Sequence, residues 1–360
     1  MQRTSRVLVV FVCVLIGAPS GVAAANSDSS IDPALAQALH FAPPVSQSAP
    51  YEIDFTDWAR IESSGSFRLS ANPTNTQQEA FLNRVSDAGV RVTELTELPT
   101  TLFPFPALRW EASFSSDRGP LDVAGFQPGF AMSHISDRLK RCGFASSSVS
   151  SFVIYAGSFS QTLKCSGASD TGLVGLNSVY AVDAKDRILA MSMSQSVVRA
   201  AITGGGLSSG SRPLADVLAP LPADPAVTIE LGASYCKQIT DAITRHLTAE
   251  QKQAVLHYKP AGAPYTAFAL GYRVTQQPPT GQIVMNYADA QAASAQLALR
   301  AYLLKTEGSF YSGYPYTKYL VLESAAAQGD DVVLTVKSAS GNRFALGEMS
   351  ENFDFDFARC

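Results

Sequence analysis

The chain has 360 residues, of which 46% are apolar and 16% are charged, and its formal net charge is −4. This acidic balance argues against a nucleic-acid partner, because nucleic-acid binding requires a clustered basic surface. The apolar fraction is ample for a hydrophobic core, and the length exceeds what one core usually serves, so two domains are expected.

Residues 1–25 have the pattern of a secretory signal peptide. Two arginines precede an apolar run over residues 7–16, and Ala23-Ala24-Ala25 supplies an A-x-A cleavage pattern. An uncleaved membrane anchor is the alternative, but a span needs about 20 apolar residues, and glycine and proline interrupt this run after roughly ten. We therefore expect cleavage after residue 25, no membrane span in the mature chain, and a location in the cell envelope or outside the cell.

Residues 26–50 are rich in serine, alanine and proline and are expected to form a flexible leader, with short helical potential around 33–39. The first domain is expected over residues 51–220 as helices packed on a largely antiparallel sheet. Alternating apolar residues predict its first strand, and apolar residues at helical spacing predict its helices. The predicted elements are a strand at 51–58, a helix at 76–88 opened by a capping box from Thr76, a strand at 108–114, a helix at 133–142, a strand at 152–157, a hairpin at 179–193 and a helix after Ser194.

Gly206 to Gly210 matches G-x-S-x-G, the nucleophile elbow of α/β-hydrolases, with Ser208 in the nucleophile position. The elbow requires a strand before the serine and a helix after it. Here a helix is predicted before it, and the match lies in a Gly/Ser-rich run. A flexible interdomain turn is therefore the preferred interpretation, and the domain boundary is expected near Pro220.

The second domain, residues 221–360, is predicted to have the element order β-α-β-β-α-β-β. This order is typical of a ferredoxin-like unit with one strand added. The predicted elements are a strand at 227–231, a helix at 235–258 with a break at a capping box from Thr248, strands at 265–274 and 282–287, a helix at 290–304 capped by Asp289, and a hairpin of strands 319–324 and 332–336. The fold class is therefore expected to be α+β, with two mixed domains.

The segment from Phe310 to Tyr319 contains four tyrosines, which are Tyr311, Tyr314, Tyr316 and Tyr319. Clustered tyrosines are enriched where proteins contact ligands or partners, because each offers a large amphipathic surface at low entropic cost. The alternative is that the rings cover an edge of a sheet. If the chain has one binding surface, we expect it at these four tyrosines.

Phenylalanines and polar residues alternate over Asn352–Phe357, which predicts an amphipathic edge strand. A Ca²⁺ site is the alternative interpretation, because the alternating polar positions supply oxygen ligands. The segment lacks the glycine and the further oxygens of a calcium loop. The edge strand is preferred.

Four cysteines follow the expected signal peptide. In an oxidising compartment they predict two disulfides, and we favour Cys142 with Cys165 and Cys236 with Cys360, because each bridge then lies within one half of the chain. The other two pairings stay open. No C-x-x-C motif occurs and no histidine lies near a cysteine, so no metal site is expected.

No catalytic set with usable spacing occurs in the sequence, and the four histidines show no metal-binding pattern. The expected function is that of a non-enzymatic exported protein, in the cell envelope or outside the cell, that binds a protein or small-molecule partner and needs no cofactor. The alternative is a secreted hydrolase that uses Ser208 or a pair of carboxylates.

Overall fold

A computed structural model describes residues 31–44, 50–64, 67–91, 102–166, 177–207, 212–221, 224–245, 247–251, 253, 262–274, 276, 278–310, 312–339 and 346–360. The expected signal peptide and Ser208 lie outside these ranges. The described strands form one continuous antiparallel sheet. They are β1 Tyr51–Thr56, β2 Leu108–Ser115, β3 Leu121–Phe126, β4 Ala145–Val149, β5 Phe152–Ala156, β6 Val179–Asp183, β7 Ile188–Ser192, β8 Ala226–Leu231, β9 Ala267–Arg273, β10 Thr280–Asn286, β11 Leu320–Gln328 and β12 Asp331–Ser338.

Helices cover both faces of this sheet. They are α1 Pro33–Leu39, α2 Trp58–Ser63, α3 Asn75–Asp87, α4 Ser133–Arg141, α5 Phe159–Ser166, α6 Gln195–Thr203, α7 Leu214–Leu218, α8 Tyr235–Thr244, α9 Ala290–Thr306 and α10 Leu346–Glu351. Short 3₁₀ turns occur at Phe105–Ala107, Tyr316–Lys318 and Asp356–Ala358. Within the described ranges, no helix combines the length and the apolar character that a bilayer crossing requires.

The expectation of an α+β fold with a large antiparallel sheet is confirmed. The strand order is β11-β12-β10-β9-β8-β1-β2-β3-β7-β6-β5-β4. At its centre β1 pairs with both β2 and β8, so that Ile53 lies opposite Phe114 on one side and Ile229 on the other. The strands of the two halves of the chain therefore share one sheet. The division into two domains near residue 220 stays a prediction.

The ferredoxin-like arrangement of the second half is not confirmed. A split βαβ unit inserts one strand between two parallel strands. Here β8, β9 and β10 are adjacent in chain order, and every pairing among the second-half strands is antiparallel. The order of strands and helices from β8 to β12 was predicted correctly, although α10 was missed, and that order is compatible with more than one sheet topology.

The period-2 alternation of the strands creates two hydrophobic cores, one on each face of the sheet. Ile53 and Phe55 of β1 point to the face covered by α1, α6 and α7. The opposite face packs against α2 to α5 in the first half and against α8 to α10 in the second half. Asp54 of β1 points to this second face, between the two groups of helices, where the sheet carries a polar cluster.

Local signals placed several elements correctly. Asp289 caps α9 as predicted, because its carboxylate accepts a hydrogen bond from the Ala292 N–H at 2.8 Å. The N-cap of α3 lies two residues earlier than predicted, because Thr74 and Gln77 form the capping box instead of Thr76 and Glu79. Strands β3 and β4 were missed. The serine-rich β4 has no apolar alternation that could have revealed it.

The predicted edge strand over 352–357 is wrong. Phe353 adopts a left-handed backbone conformation with φ of 52°, and a 3₁₀ turn follows from Asp356. Asp354 and Asp356 are buried together with the neighbouring phenylalanines, so the two sides of the segment do not separate into polar and apolar faces.

Both favoured disulfides are confirmed. Cys142, at the end of α4, is bonded to Cys165 of α5, and their Cα atoms are 5.4 Å apart. Cys236 of α8 is bonded to Cys360, with a Cα–Cα distance of 5.3 Å. The second bridge, together with a 3.0 Å hydrogen bond from Thr240 Oγ1 to the Cys360 carbonyl, ties the final residue to α8.

Candidate functional site

Two cavities open between the C-terminal end of α8, the loop of residues 307–319 and the segment of residues 346–354. We call this region the C-terminal groove. The larger cavity, of about 260 Å³, is lined by Ala242, Ile243, Arg245, Phe310, Glu351, Asn352, Phe353 and Asp354. The smaller, of about 100 Å³, is lined by Ser309, Ser312, Tyr319, Glu348, Met349, Asn352 and Asp354. Asn352 and Asp354 belong to both cavities, so the two are neighbours on one surface.

Asp354 joins the two walls of the groove. Its carboxylate accepts hydrogen bonds from Ser309 Oγ at 2.5 Å and from the Phe310 N–H at 2.8 Å. Only 5% of Asp354 is exposed, so these hydrogen bonds form away from solvent, where the low dielectric strengthens them. The loop is therefore held against the C-terminal segment by a defined contact.

The loop itself is a narrow hairpin. Gly308 and Pro315 form an antiparallel bridge, and the Ser309 N–H donates to the Tyr314 carbonyl at 2.8 Å. Gly313 has φ of 69°, a left-handed conformation that glycine adopts without steric cost. Phe310 and Tyr314 are 44% and 50% exposed at the tip of this hairpin. The fold thus presents aromatic surface to solvent beside the larger cavity.

The four predicted tyrosines occupy different environments. Tyr319 lines the smaller cavity, whereas Tyr314 stands exposed with the Lys318 ammonium 3.2 Å from its ring centroid. Tyr316 is fully buried: its hydroxyl donates to the Asp354 carbonyl and accepts from the Asp356 N–H, and burial raises its pKa well above the usual value. Tyr311 lies outside the described residues. Tyr316 therefore holds the main chain of the groove wall in place and offers no ring surface to a ligand.

A second polar site lies beside the groove, on the sheet. Glu52 and Asp54 of β1 stand opposite Glu230 and Thr228 of β8, and we call the three acidic residues the carboxylate cluster. Arg91 Nη1 contacts Glu52 and lies 2.7 Å from Asp54 Oδ2. One guanidinium therefore contacts two carboxylates, and the buried Glu230 stands opposite one of them, Glu52, across the strand pair.

Burial and neighbouring charge raise the pKa values of Asp54 and Glu230. Desolvation and the Glu52 carboxylate raise the pKa of Asp54 to about 7, although Arg91 and the Thr228 hydroxyl oppose the shift. Glu230 is 5% exposed, and desolvation, followed by repulsion from Glu52 and Asp54, raises its pKa well above the usual value. Asp54 and Glu230 consequently retain protons at pH values where exposed carboxylates have lost them.

Arg91 connects the cluster to the groove, because its Nε lies 3.9 Å from the Glu351 carboxylate on the groove wall. Neither Asp54 nor Glu230 lines either of the two cavities. The cluster was not predicted from the sequence, because polar residues that alternate with apolar ones on β1 usually indicate a solvent-facing side. The signal that could have revealed it is Glu230, the one charged residue of strand β8.

Across the part of the chain that the structure describes, no group of three or more histidine, cysteine or acidic side chains is arranged to hold a metal ion. His246 and His257 fall outside that part.

Comparison with known proteins identifies no relative that names an activity. No protein-family model matches the chain, and no curated protein matches it. A solved chain, that of TP0453 in crystal form I, aligns with 88% of this chain and with 97% of its own length, at 8% sequence identity and a TM-score of 0.41. A similarity of this extent supports no inference about function.

Proposed function

We propose that this chain is an exported, non-enzymatic binding protein of the cell envelope or extracellular space, and that its partner docks in the C-terminal groove. One observation carries the proposal. Two adjacent cavities share Asn352 and Asp354 and open beside the exposed ring of Phe310. Concave surface lined by aromatic side chains is where binding energy usually concentrates.

The size and the chemistry of the groove favour a segment of a partner protein. A cavity of about 260 Å³ is smaller than the roughly 300 to 1,000 Å³ that drug-sized ligands occupy, so it fits one anchoring side chain better than a buried cofactor. Phe310 and Phe353 supply apolar contacts, and Arg245 and Glu351 supply charges of both signs. A partner segment with an apolar side chain flanked by polar groups complements this lining.

Export is supported by the two disulfides, since such bonds persist mainly in oxidising compartments. The signal-peptide pattern of residues 1–25 also favours export. The test is to express the full chain with its natural N-terminus and determine the N-terminal residue of the exported product. A product that begins at Asn26 is expected, and one that keeps Met1 contradicts the proposal.

The hydrolase alternative has weaker support. Asp54 and Glu230 have the raised pKa values that acid–base catalysts often show, but both are buried and neither reaches the cavities. Labelling with a serine-reactive fluorophosphonate tests the serine form. A labelled wild-type protein whose labelling disappears in Ser208→Ala favours the hydrolase over the binding protein.

Site-specific photocrosslinking tests the groove. Benzoylphenylalanine replaces Phe310 in one variant and Tyr302 in a control, because Tyr302 is 58% exposed on α9 but lines neither cavity. The expected result is a discrete adduct from position 310 in cells that export the protein, with none from position 302. Equal crosslinking at both positions, or none at 310, contradicts the proposed site.

A binding measurement with the identified partner completes the test. Phe310→Ala is expected to weaken binding by about 2 kcal/mol, roughly 30-fold, as for other central aromatic contacts. Tyr302→Ala is expected to change it less than about 2-fold. Because Phe310 is 44% exposed, its removal leaves the unfolding free energy within about 0.5 kcal/mol of wild type.

A further inference from the structure

The two edges of the sheet differ in how they are protected against pairing with another chain. The β11 edge is interrupted by a bulge between Leu322 and Ser324, and Glu323 lies on it in an ion pair with Lys337 at 2.9 Å. Bulges and charges are the features that commonly keep edge strands from pairing with another chain. The β4 edge, at the other end of the sheet, has neither of them: Ala145–Val149 contains no charge and no proline, and its register with β5 is regular.

The hairpin that contains β4 determines which of its main-chain groups face outward. Val149 and Phe152 flank a two-residue turn in which Ser150 has φ of 52°, as in the tight turns of β-hairpins. The flanking pair of such a turn is hydrogen-bonded, and bonded and non-bonded pairs alternate from there along an antiparallel ladder. The N–H and C=O groups of Val149 and Ser147 therefore point to β5. Those of Ser146 and Ser148 point away from the sheet.

We propose that β4 is a self-association edge, where the β4 strands of two copies of this chain pair antiparallel about Ser147. In this register Ser146 lies opposite the partner's Ser148, and Ser148 lies opposite the partner's Ser146. The outward N–H and C=O groups of these two residues then form four main-chain hydrogen bonds across the two-fold axis. Ser147 faces the partner's Ser147 as a non-hydrogen-bonded pair, with Cα atoms about 4.5 Å apart.

The composition of β4 fits a second copy as the occupant. A two-fold interface places the same strand on both sides, so any charge on β4 would face a like charge close by. The strand Ala-Ser-Ser-Ser-Val has none, and it has nearly the same sequence of side-chain sizes in both directions. Ala145 to Ser148 are exposed, so neither face of the strand is blocked by the described helices. Serine pairs across antiparallel strands also add side-chain hydrogen bonds.

The expected association is weak. Two five-residue strands bury less than the roughly 1,000 Å² that a stable interface needs, so the dimer forms at high protein concentration or where the protein is locally concentrated. The proposal is independent of the C-terminal groove, because no residue of β4 lines either of its two cavities.

Disulfide trapping tests the register directly. The four cysteines from residue 142 onward are already paired, so Ser147→Cys introduces one free thiol into the mature chain. Under mild oxidation, this variant is expected to form a covalent dimer at least about 10-fold faster than Ser146→Cys, whose two thiols would lie two residues apart along the strands. A mixture of Ser146→Cys and Ser148→Cys is expected to form the mixed dimer in preference to either homodimer.

A proline provides the matched control. Ser148→Pro removes an outward N–H and leaves the β4–β5 hydrogen bonds intact. In the Ser147→Cys background, this proline is expected to reduce disulfide trapping at least about 10-fold. The melting temperature is expected to change by no more than a few degrees. Equal trapping of Ser147→Cys and Ser146→Cys, or trapping that survives the proline, overturns the proposal. So does a Ser147→Cys protein that stays monomeric at high concentration, which is the outcome expected if the strand of another protein occupies this edge.

Discussion

Replacing Asp54 with asparagine is expected to remove a large part of the dependence of stability on pH. Burial among like charges raises the pKa of Asp54 to about 7 in the folded chain, whereas an unfolded aspartate titrates near 3.9. Between these two values the folded state binds more protons than the unfolded state. The free energy of unfolding therefore falls as the pH rises from about 4 to about 7.

The magnitude follows from the two pKa values. One pKa unit corresponds to 1.36 kcal/mol, so a shift of about three units amounts to at most roughly 4 kcal/mol over the whole range. Between pH 5 and pH 8 the loss is about 2 to 3 kcal/mol. Asparagine cannot ionise, and its amide can still accept the Thr228 hydrogen bond. Asp54→Asn should consequently lose much less stability than the wild type over this interval.

Urea unfolding at pH 5, 6, 7 and 8 measures these differences. Asp331→Asn is the matched control. Desolvation raises the pKa of Asp331 to about 6, so the stabilisation that its protonated form gives to the folded state is largely lost by pH 7. Above pH 6, the slope of unfolding free energy against pH should therefore change more in Asp54→Asn than in Asp331→Asn. A wild-type protein that becomes more stable from pH 5 to pH 8, or an Asp54→Asn variant with an unchanged slope, would refute the reasoning.

Three further changes test how the C-terminal segment is held. Arg300 is fully buried and donates hydrogen bonds to three carbonyls, so Arg300→Ala is expected to cost about 3 to 5 kcal/mol in urea unfolding, against less than about 0.5 for exposed Arg118→Ala. Cys360→Ser opens a loop of 124 residues and should lower the unfolding free energy by about 4 to 5 kcal/mol, whereas Cys142→Ser should lower it by about 3 kcal/mol. The difference is expected because a longer closed loop restricts the unfolded chain more, and equal losses would contradict this explanation. Gly347→Ala would place a Cβ 2.5 Å from a backbone oxygen, so it is expected to lower the melting temperature despite the better helix propensity of alanine.

Several local elements of this protein are determined by neighbouring residues in the chain, and for that reason these elements could be predicted from the sequence. Asp289 satisfies a free N–H of α9 within one helical turn, and the turn at Gly329 needs only its own φ of 60°. The disulfide pairing also followed, since each bridge joins cysteines of the same half of the chain. These features depend on short-range geometry or on the number of cysteines and their positions along the chain.

The candidate site depends on contacts between residues far apart in the sequence. Asp54 and Glu230 became a proton-holding cluster because β1 and β8 pair in the middle of the sheet, a register that neither strand reveals alone. Tyr316 and Tyr314 look equivalent in the sequence, yet one is buried against Asp354 and the other is exposed. Burial is a property of the assembled layers, and it decides both the charge of an acid and the role of a tyrosine.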